Sequence, residues 1–254
     1  MAARESGFGM FVCVRPHRRL KLSLALAAVC LVIVAYVLIG RAHSPKPSAE
    51  SITAKQLFPL ASRSAKMKLT RSGDDHGTHA VTVRPEGDRW QRALGQLTIE
   101  HLSRDEAGSI LLHRADSPAD RSYLVFDPAA TMVPARMEQG QAVETRGRVV
   151  VRSLDDDDKQ ASGTYVRRVT WAGKVKVKTP AGTYIAHQLK TTEQYELGLA
   201  SVSVTITEAF APGVGSVYRQ RASEVVKVGV FNETDQHSFA LLEPWEQDDA
   251  TASE

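Results

Sequence analysis

Alternation of apolar and polar positions is the dominant pattern along this chain. In "GKVKVKT", Val175 and Val177 fall on one face while Lys174, Lys176 and Lys178 fall on the other. In "ASVSVTIT", Val202, Val204 and Ile206 oppose Ser201, Ser203, Thr205 and Thr207. A period of two is the signature of a strand with one buried and one wet face. The same signal recurs in "AVTVRP", "QLTIEHL", "SILLHR", "SYLVF", "RGRVVVRS", "GTYVRRVTW", "GTYIAHQLKT", "GSVYRQ" and "EVVKVGVF". The charged, glycine-containing "SRDEAG" suits a hairpin turn, and Asp127-Pro128 reads as a strand stop. One short helix is expected within residues 52–65. Roughly ten closely spaced strands with few helices predict a mainly β domain, an antiparallel curved sheet or half-barrel around one core or cavity.

A different pattern precedes this domain. Residues 22–39, "LSLALAAVCLVIVAYVLI", form an uncharged run of 18, which as a helix rises about 27 Å, close to the hydrocarbon thickness of a bilayer. Arg15, Arg18, Arg19 and Lys21 crowd the near side, whereas Arg41 and Lys46 follow more sparsely. That asymmetry puts a basic tail, 1–21, in the cytoplasm and the remainder across the membrane. A cleaved signal peptide normally has a shorter apolar core of about 7–15 residues, although Gly40-Arg41-Ala42 offers a small-x-small site. A lipoprotein signal would need a small residue before its cysteine, but Val29 precedes Cys30, which sits mid-span. An uncleaved transmembrane helix fits length and flanks best. The expected organisation is a linker at 40–51, a periplasmic β domain at 52–242 and an acidic disordered tail at 243–254. The location would be the inner membrane, single-pass.

Charge and cysteine placement narrow the partners. Residues 1–49 hold seven Arg or Lys against Glu5 alone; with +3 overall, residues 50–254 therefore carry −3. The basic character belongs to the membrane flank, which removes the electrostatic case for nucleic acid. Both cysteines, Cys13 and Cys30, also lie in the first segment, so the domain has no disulfide, cysteine metal site or thiol nucleophile.

Two turns stand out. Ala211-Pro212-Gly213-Val214 places proline where a turn wants φ near −65° and glycine where a type II turn needs positive φ. Gly215 then opens the next strand, where a missing side chain permits a bulge or close approach. Upstream, Thr179-Pro180-Ala181-Gly182 has the type I preference. These two sequences, "VKVKTPAGTYIAHQLK" and "FAPGVGSVYRQ", resemble a pattern in bacterial envelope domains similar in fold to the LolA/LolB-like lipoprotein carriers. "FDPAATMVPARMEQGQAVE" upstream is similar to the lead of such domains, and the resemblance spans residues 126–242. Phe210 stands where that pattern usually has tryptophan. The resemblance implies a half-barrel around an apolar space and Pro180, Gly182, Pro212, Gly213 and Gly215 as structural turn positions; it implies nothing about activity.

Candidate chemistry is sparse. "DDHGTHAV" offers His76 and His79 beside Asp74 and Asp75, a loose zinc or copper pattern without a third cluster, set against a solvated loop. "LDDDDKQ" looks like the enteropeptidase recognition sequence of trypsinogen and lacks the spacing of a calcium loop, so a solvated hairpin is expected. His187, with Tyr184 and Glu193, could be imagined as acid/base machinery. Alternation puts His187 with Ile185 and Leu189, predicting a core histidine satisfied by hydrogen bonds. The lysine row could meet anionic headgroups or simply keep a sheet face soluble. No elbow, zincin, P-loop or dinucleotide motif occurs. The expectation is a non-enzymatic, membrane-anchored domain without cofactor or metal, binding a lipid or other apolar ligand or serving as an envelope protein interaction module. The alternative is a metal-dependent hydrolase using His76 and His79.

Overall fold

The structure, a computed structural model, describes residues 50–198, 200–227 and 231–247. The expected membrane helix at 22–39 and the basic tail before it lie outside these residues. No helix among the described residues is long and apolar enough to cross a membrane.

The alternating segments close into a twelve-strand antiparallel barrel with neighbours in sequence order. Its strands are β2 (Arg63–Arg71), β3 (Asp74–Glu86), β4 (Arg89–Leu94), β5 (Thr98–Arg104), β6 (Ile110–Ser117), β7 (Ser122–Val133), β9 (Ala142–Ser153), β10 (Lys159–Thr179), β11 (Gly182–Leu197), β12 (Ala200–Ala211), β13 (Gly215–Lys227) and β14 (Phe231–Leu241). Outside the wall, β1 (Ser51–Thr53) pairs with β8 (Arg136–Glu138), a single turn α1 (Ala54–Leu57) follows β1, and β15 (Glu246–Gln247) extends β2. The turn α1 is held by Gln56, whose Oε1 accepts from the Thr53 N–H and hydroxyl, each at 2.9 Å.

Several expectations change. The sheet is a closed barrel and not a half-barrel, because residues 231–241 form a further strand. Its His237, Phe239 and Leu241 point inward while its backbone pairs with Met67–Arg71 of β2. Closure leaves no unpaired edge. The segments "GTYVRRVTW" and "GKVKVKT" are one strand, β10, with a bulge between Trp171 and Gly173, where glycine adopts φ +120°. Asp127-Pro128 does not stop β7; it ends the pairing with β9 at Asp127, consistent with a proline that has no N–H to offer. The expected tail from Glu243 begins as a docked segment: Trp245 donates its indole N–H to the Ser216 carbonyl at 2.9 Å and stacks 4.3 Å from the Arg63 guanidinium. Residues 248–254 lie outside the described residues.

One end of the barrel is plugged. Ile52, Leu57 and Phe58 pack with Leu102, Ile110, Met137, Trp171 and Phe210, and the Phe58 and Phe210 rings meet edge-on at 6.1 Å. Here Glu208, Ala209, Phe210 and Ala211 are buried in succession, since Phe210 faces the plug while Ala209 and Ala211 face a second cluster with Met67, Val217, Phe239 and Leu241. Both sheet faces are covered, so alternation fails as a burial signal there.

Candidate functional site: a lumen over a charged floor

Hairpin turns at 72–73, 95–97, 118–121 and 154–158 share the end opposite the plug. Between that end and the plug the lumen is open, a cavity of about 680 Å³. Apolar side chains from successive strands line it: Leu112, Leu124, Phe126, Val151, Leu197, Val202, Val204, Ile206 and Val225. Each occupies an inward position of the period-two pattern.

The floor is ionic. Arg92 and Glu100 are direct cross-strand partners on β4 and β5; Glu208 and Arg219 are direct partners on β12 and β13, across the lumen. The four close a ring. Arg92 Nε donates to Glu100 Oε2 at 2.6 Å and Nη1 to Glu208 Oε1 at 2.7 Å; Arg219 Nη1 donates to Glu208 Oε2 at 3.0 Å and Nη2 to Glu100 Oε1 at 2.9 Å. All four are buried, with Arg92 stacked 5.0 Å from the Phe58 ring below. Burial by itself would raise the Glu100 carboxyl, but Arg92 and Arg219 outweigh it and hold it at about 2. Glu208 is lowered by the same two guanidiniums against its burial. Beside the ring, Arg167 donates to Glu193, its cross-strand partner, and the Tyr195 hydroxyl donates to Glu193 Oε2 at 2.6 Å. Burial, then Glu193, push the Tyr195 phenol well above its usual range. Paired carboxylates and a protonated phenol are poor acid/base agents at neutral pH; this floor is a strut joining opposite walls.

The residues singled out in the sequence are scattered. Pro180, Gly182, Pro212, Gly213 and Gly215 all lie at the plugged end. Gly213 has φ +74°, and the Val214 N–H donates to the Ala211 carbonyl at 3.0 Å. Gly215, at φ +104°, makes room for Arg63: a Cβ there would sit 2.5 Å from Arg63 Nη1, which donates to the Val214 carbonyl at 2.9 Å. The "DDHGTHAV" segment is strand β3 and not a loop. His76 and His79 reach the cavity rim, His79 lying edge-on to Phe239, 6.4 Å away. Among the described residues, no three His, Cys, Asp or Glu converge as a metal-binding group. The acidic run forms the β9–β10 turn, where Asp155 pairs with Arg121 at 2.6 Å and Asp157 with Arg152 at 3.4 Å.

His187 is buried against Trp171, 5.4 Å away, but its Nδ1 has no hydrogen-bond partner among the described residues. Burial and Lys174, its cross-strand neighbour, lower its pKa. Ile185 does not share the burial of His187 and Leu189. It pairs with Lys176 on the hairpin face that emerges beyond the plug, and it is 62% exposed. Glu193 belongs with Arg167 and Tyr195, not with His187.

The floor residues Arg92, Glu100, Glu208 and Arg219 were not singled out by motif. Their signal is charge at a position the alternation assigns inward: Glu208 follows Val202, Val204 and Ile206, and Glu100 lies two before Leu102.

No family model and no curated protein matches this chain. Similar solved structures include a candidate lipoprotein from Parabacteroides distasonis, 11% identical, covering 74% of this chain and 97% of its own at a TM-score of 0.36. A candidate exported protein with a YmcC-like fold from Bacteroides fragilis is 13% identical, with coverages of 72% and 95% and a TM-score of 0.36. The hypothetical lipoprotein YmcC from Escherichia coli is 8% identical, with coverages of 75% and 94% and a TM-score of 0.39. Likenesses this distant carry no argument beyond the chain's own geometry.

Proposed function

We propose that this protein is a non-catalytic binder of an apolar or amphipathic molecule at the cell envelope. The observation that carries the reading is the unfilled lumen of about 680 Å³, open at one end, with apolar side chains of β6, β7, β9, β11, β12 and β13 on its wall and charged groups at its floor and rim. Its size falls in the range of about 300–1,000 Å³ typical of pockets for a single small ligand. The resemblance of the turn motifs to LolA/LolB-like carriers supports the same reading, as does the run at 22–39, which would hold the domain on the far side of the inner membrane.

The test is extraction of the full-length chain and mass spectrometry of what comes with it. About one apolar molecule per chain is expected. Val202→Trp, which sets an indole across the lumen near its open end, should melt like the wild type yet lose that molecule. If wild type and variant carry the same lipid complement, the lumen is not the site, and the role as an envelope interaction module takes its place.

A further inference from the structure

The charged side chains facing the lumen are nearly all matched. Arg219 is bound to Glu100 and Glu208, Arg167 to Glu193, Arg71 to Asp235 at 2.8 Å, and Asp116 to Arg114 at 2.6 Å. Asp120 and Glu233 are exposed at the rim. Arg221 differs. It follows Arg219 by one inward position on β13, one step above the floor, and lines the cavity between Ile206 of β12 and His237 of β14. Among the described residues it has no carboxylate partner, only the Ser223 hydroxyl at 3.3 Å from Nη1. His237 cannot neutralise it, since an imidazole is either neutral or positive; burial and then Arg221 itself lower its pKa, against the opposing pull of Asp235.

A half-buried guanidinium without a counterion is costly in a low-dielectric lumen, and an anion would relieve that cost. The apolar wall extends from this level to the open end, through Ile206, Val204 and Val202 on β12 and Leu124 on β7. Below lies the ionic ring, whose charges are paired although Arg92 Nη2 and Arg219 Nε have no hydrogen-bond partner among the described residues, so the floor under Arg221 is polar and offers no deeper apolar seat. We infer that the lumen takes a single-chain amphiphile with a monoanionic head, a carboxylate, seated on the Arg221 guanidinium and Ser223 hydroxyl, with its hydrocarbon chain running toward the open end. One unpaired positive charge matches one negative charge; a dianionic phosphate monoester would leave charge over beside Glu193 and Asp235. This inference rests on the lumen being the ligand site.

The experiment uses the full-length chain in phosphatidylcholine nanodiscs, with empty nanodiscs as blank. Equilibrium dialysis compares dodecanoate, dodecanol, dodecyl phosphate and dodecyltrimethylammonium below their micelle concentrations. Dodecanoate is expected to bind about 10- to 100-fold more tightly than dodecanol, the range for one charge-assisted hydrogen-bonded contact. Arg221→Gln should reduce dodecanoate to the affinity of dodecanol while leaving dodecanol unchanged, which also reports that the lumen is intact. Arg221→Lys should keep a preference for the carboxylate. Equal wild-type binding of dodecanoate and dodecanol, or a preference surviving Arg221→Gln, overturns the anion seat but leaves an apolar lumen. Tighter binding of the phosphate or the ammonium overturns the choice of head group. If no probe binds above the blank, the apolar-ligand reading itself fails.

Discussion

The two ends of this barrel are built from the same alternating strands yet are filled by opposite rules. At the plugged end, Phe58, Trp171, Phe210 and Met137 interdigitate, both faces of β12 are covered, and a closed ring of two arginines and two glutamates ties the walls together. Above the floor the inward side chains stop short of one another, and the Arg221 guanidinium, without a carboxylate partner among the described residues, projects among them. Stability should therefore reside in the plug and floor, and function in the space above. Substitutions can break or sharpen that division.

The sharpest break is at Glu208. Glu208→Gln leaves Arg92 and Arg219 sharing Glu100 alone, which is expected to cost about 3–5 kcal/mol, the penalty for stripping one partner from a buried ion network. Urea unfolding of the variant measures it. Replacing Arg92, Glu100, Glu208 and Arg219 together by apolar residues of similar volume should cost far less. If Glu208→Gln unfolds with the wild-type midpoint, the ring is not a strut and the division of the barrel fails.

Acid should dissect the same floor. Glu100 sits at about 2 in the fold against an ordinary 4.5, so its pairing stabilises fully above about 4.5 and is lost as pH falls through about 2. A depression of that size corresponds to roughly 3 kcal/mol. Urea midpoints at pH 7, 4 and 3 should fall steeply for the wild type and less for a variant in which Arg92 and Glu100 are both apolar. Identical slopes would assign the acid sensitivity to carboxylates elsewhere.

A smaller effect is expected at Gly215, beneath the plug. Gly215→Ala meets a backbone at φ +104° and a Cβ position 2.5 Å from Arg63 Nη1. Strain plus displacement of Arg63 from the Val214 carbonyl should cost about 1–3 kcal/mol. The displaced Arg63 should also release Trp245, seen as a red-shifted indole fluorescence. Gly77→Ala at the rim also carries a positive φ, +84°, but has open space around its Cβ position, so it should leave that fluorescence unmoved.

The contrast between the ends also sets what the sequence made legible. The strands of the open half follow period two, as in Val202, Val204 and Ile206, because one face meets the lumen and the other water. At the plugged end, buried Glu208 through Ala211 and the adjacent buried pair Ala186 and His187 have no such periodicity; cover from α1 on one face and from β2 and β14 on the other is a tertiary fact. Closure was hidden because "HSFAL", placed in the β domain but carrying too short an alternation to be named as a strand, becomes one only when its backbone is paired to β2. The glycines of "APGVG" announced a turn, but the reason for Gly215 was an arginine 152 positions earlier, a separation set only by the fold. The ionic floor left a trace, charges in inward register, whereas its pairing across the lumen needed the barrel's circumference.

The smallest effect, and the one of opposite sign, belongs to Arg221. At the plugged end every charge removed should cost stability. An arginine whose only described contact is the Ser223 hydroxyl gains little from the fold and loses hydration there. Arg221→Met keeps length and apolar bulk while deleting the charge, and it should raise the urea midpoint by an amount equivalent to about 0.5–1 kcal/mol without ligand. Adding dodecanoate should then stabilise the wild type more than Arg221→Met, reversing their order, because only a state that binds ligand gains from its presence. If Arg221→Met is as damaging as Glu208→Gln, Arg221 has a structural partner, and the open end would serve stability no less than the plugged one does.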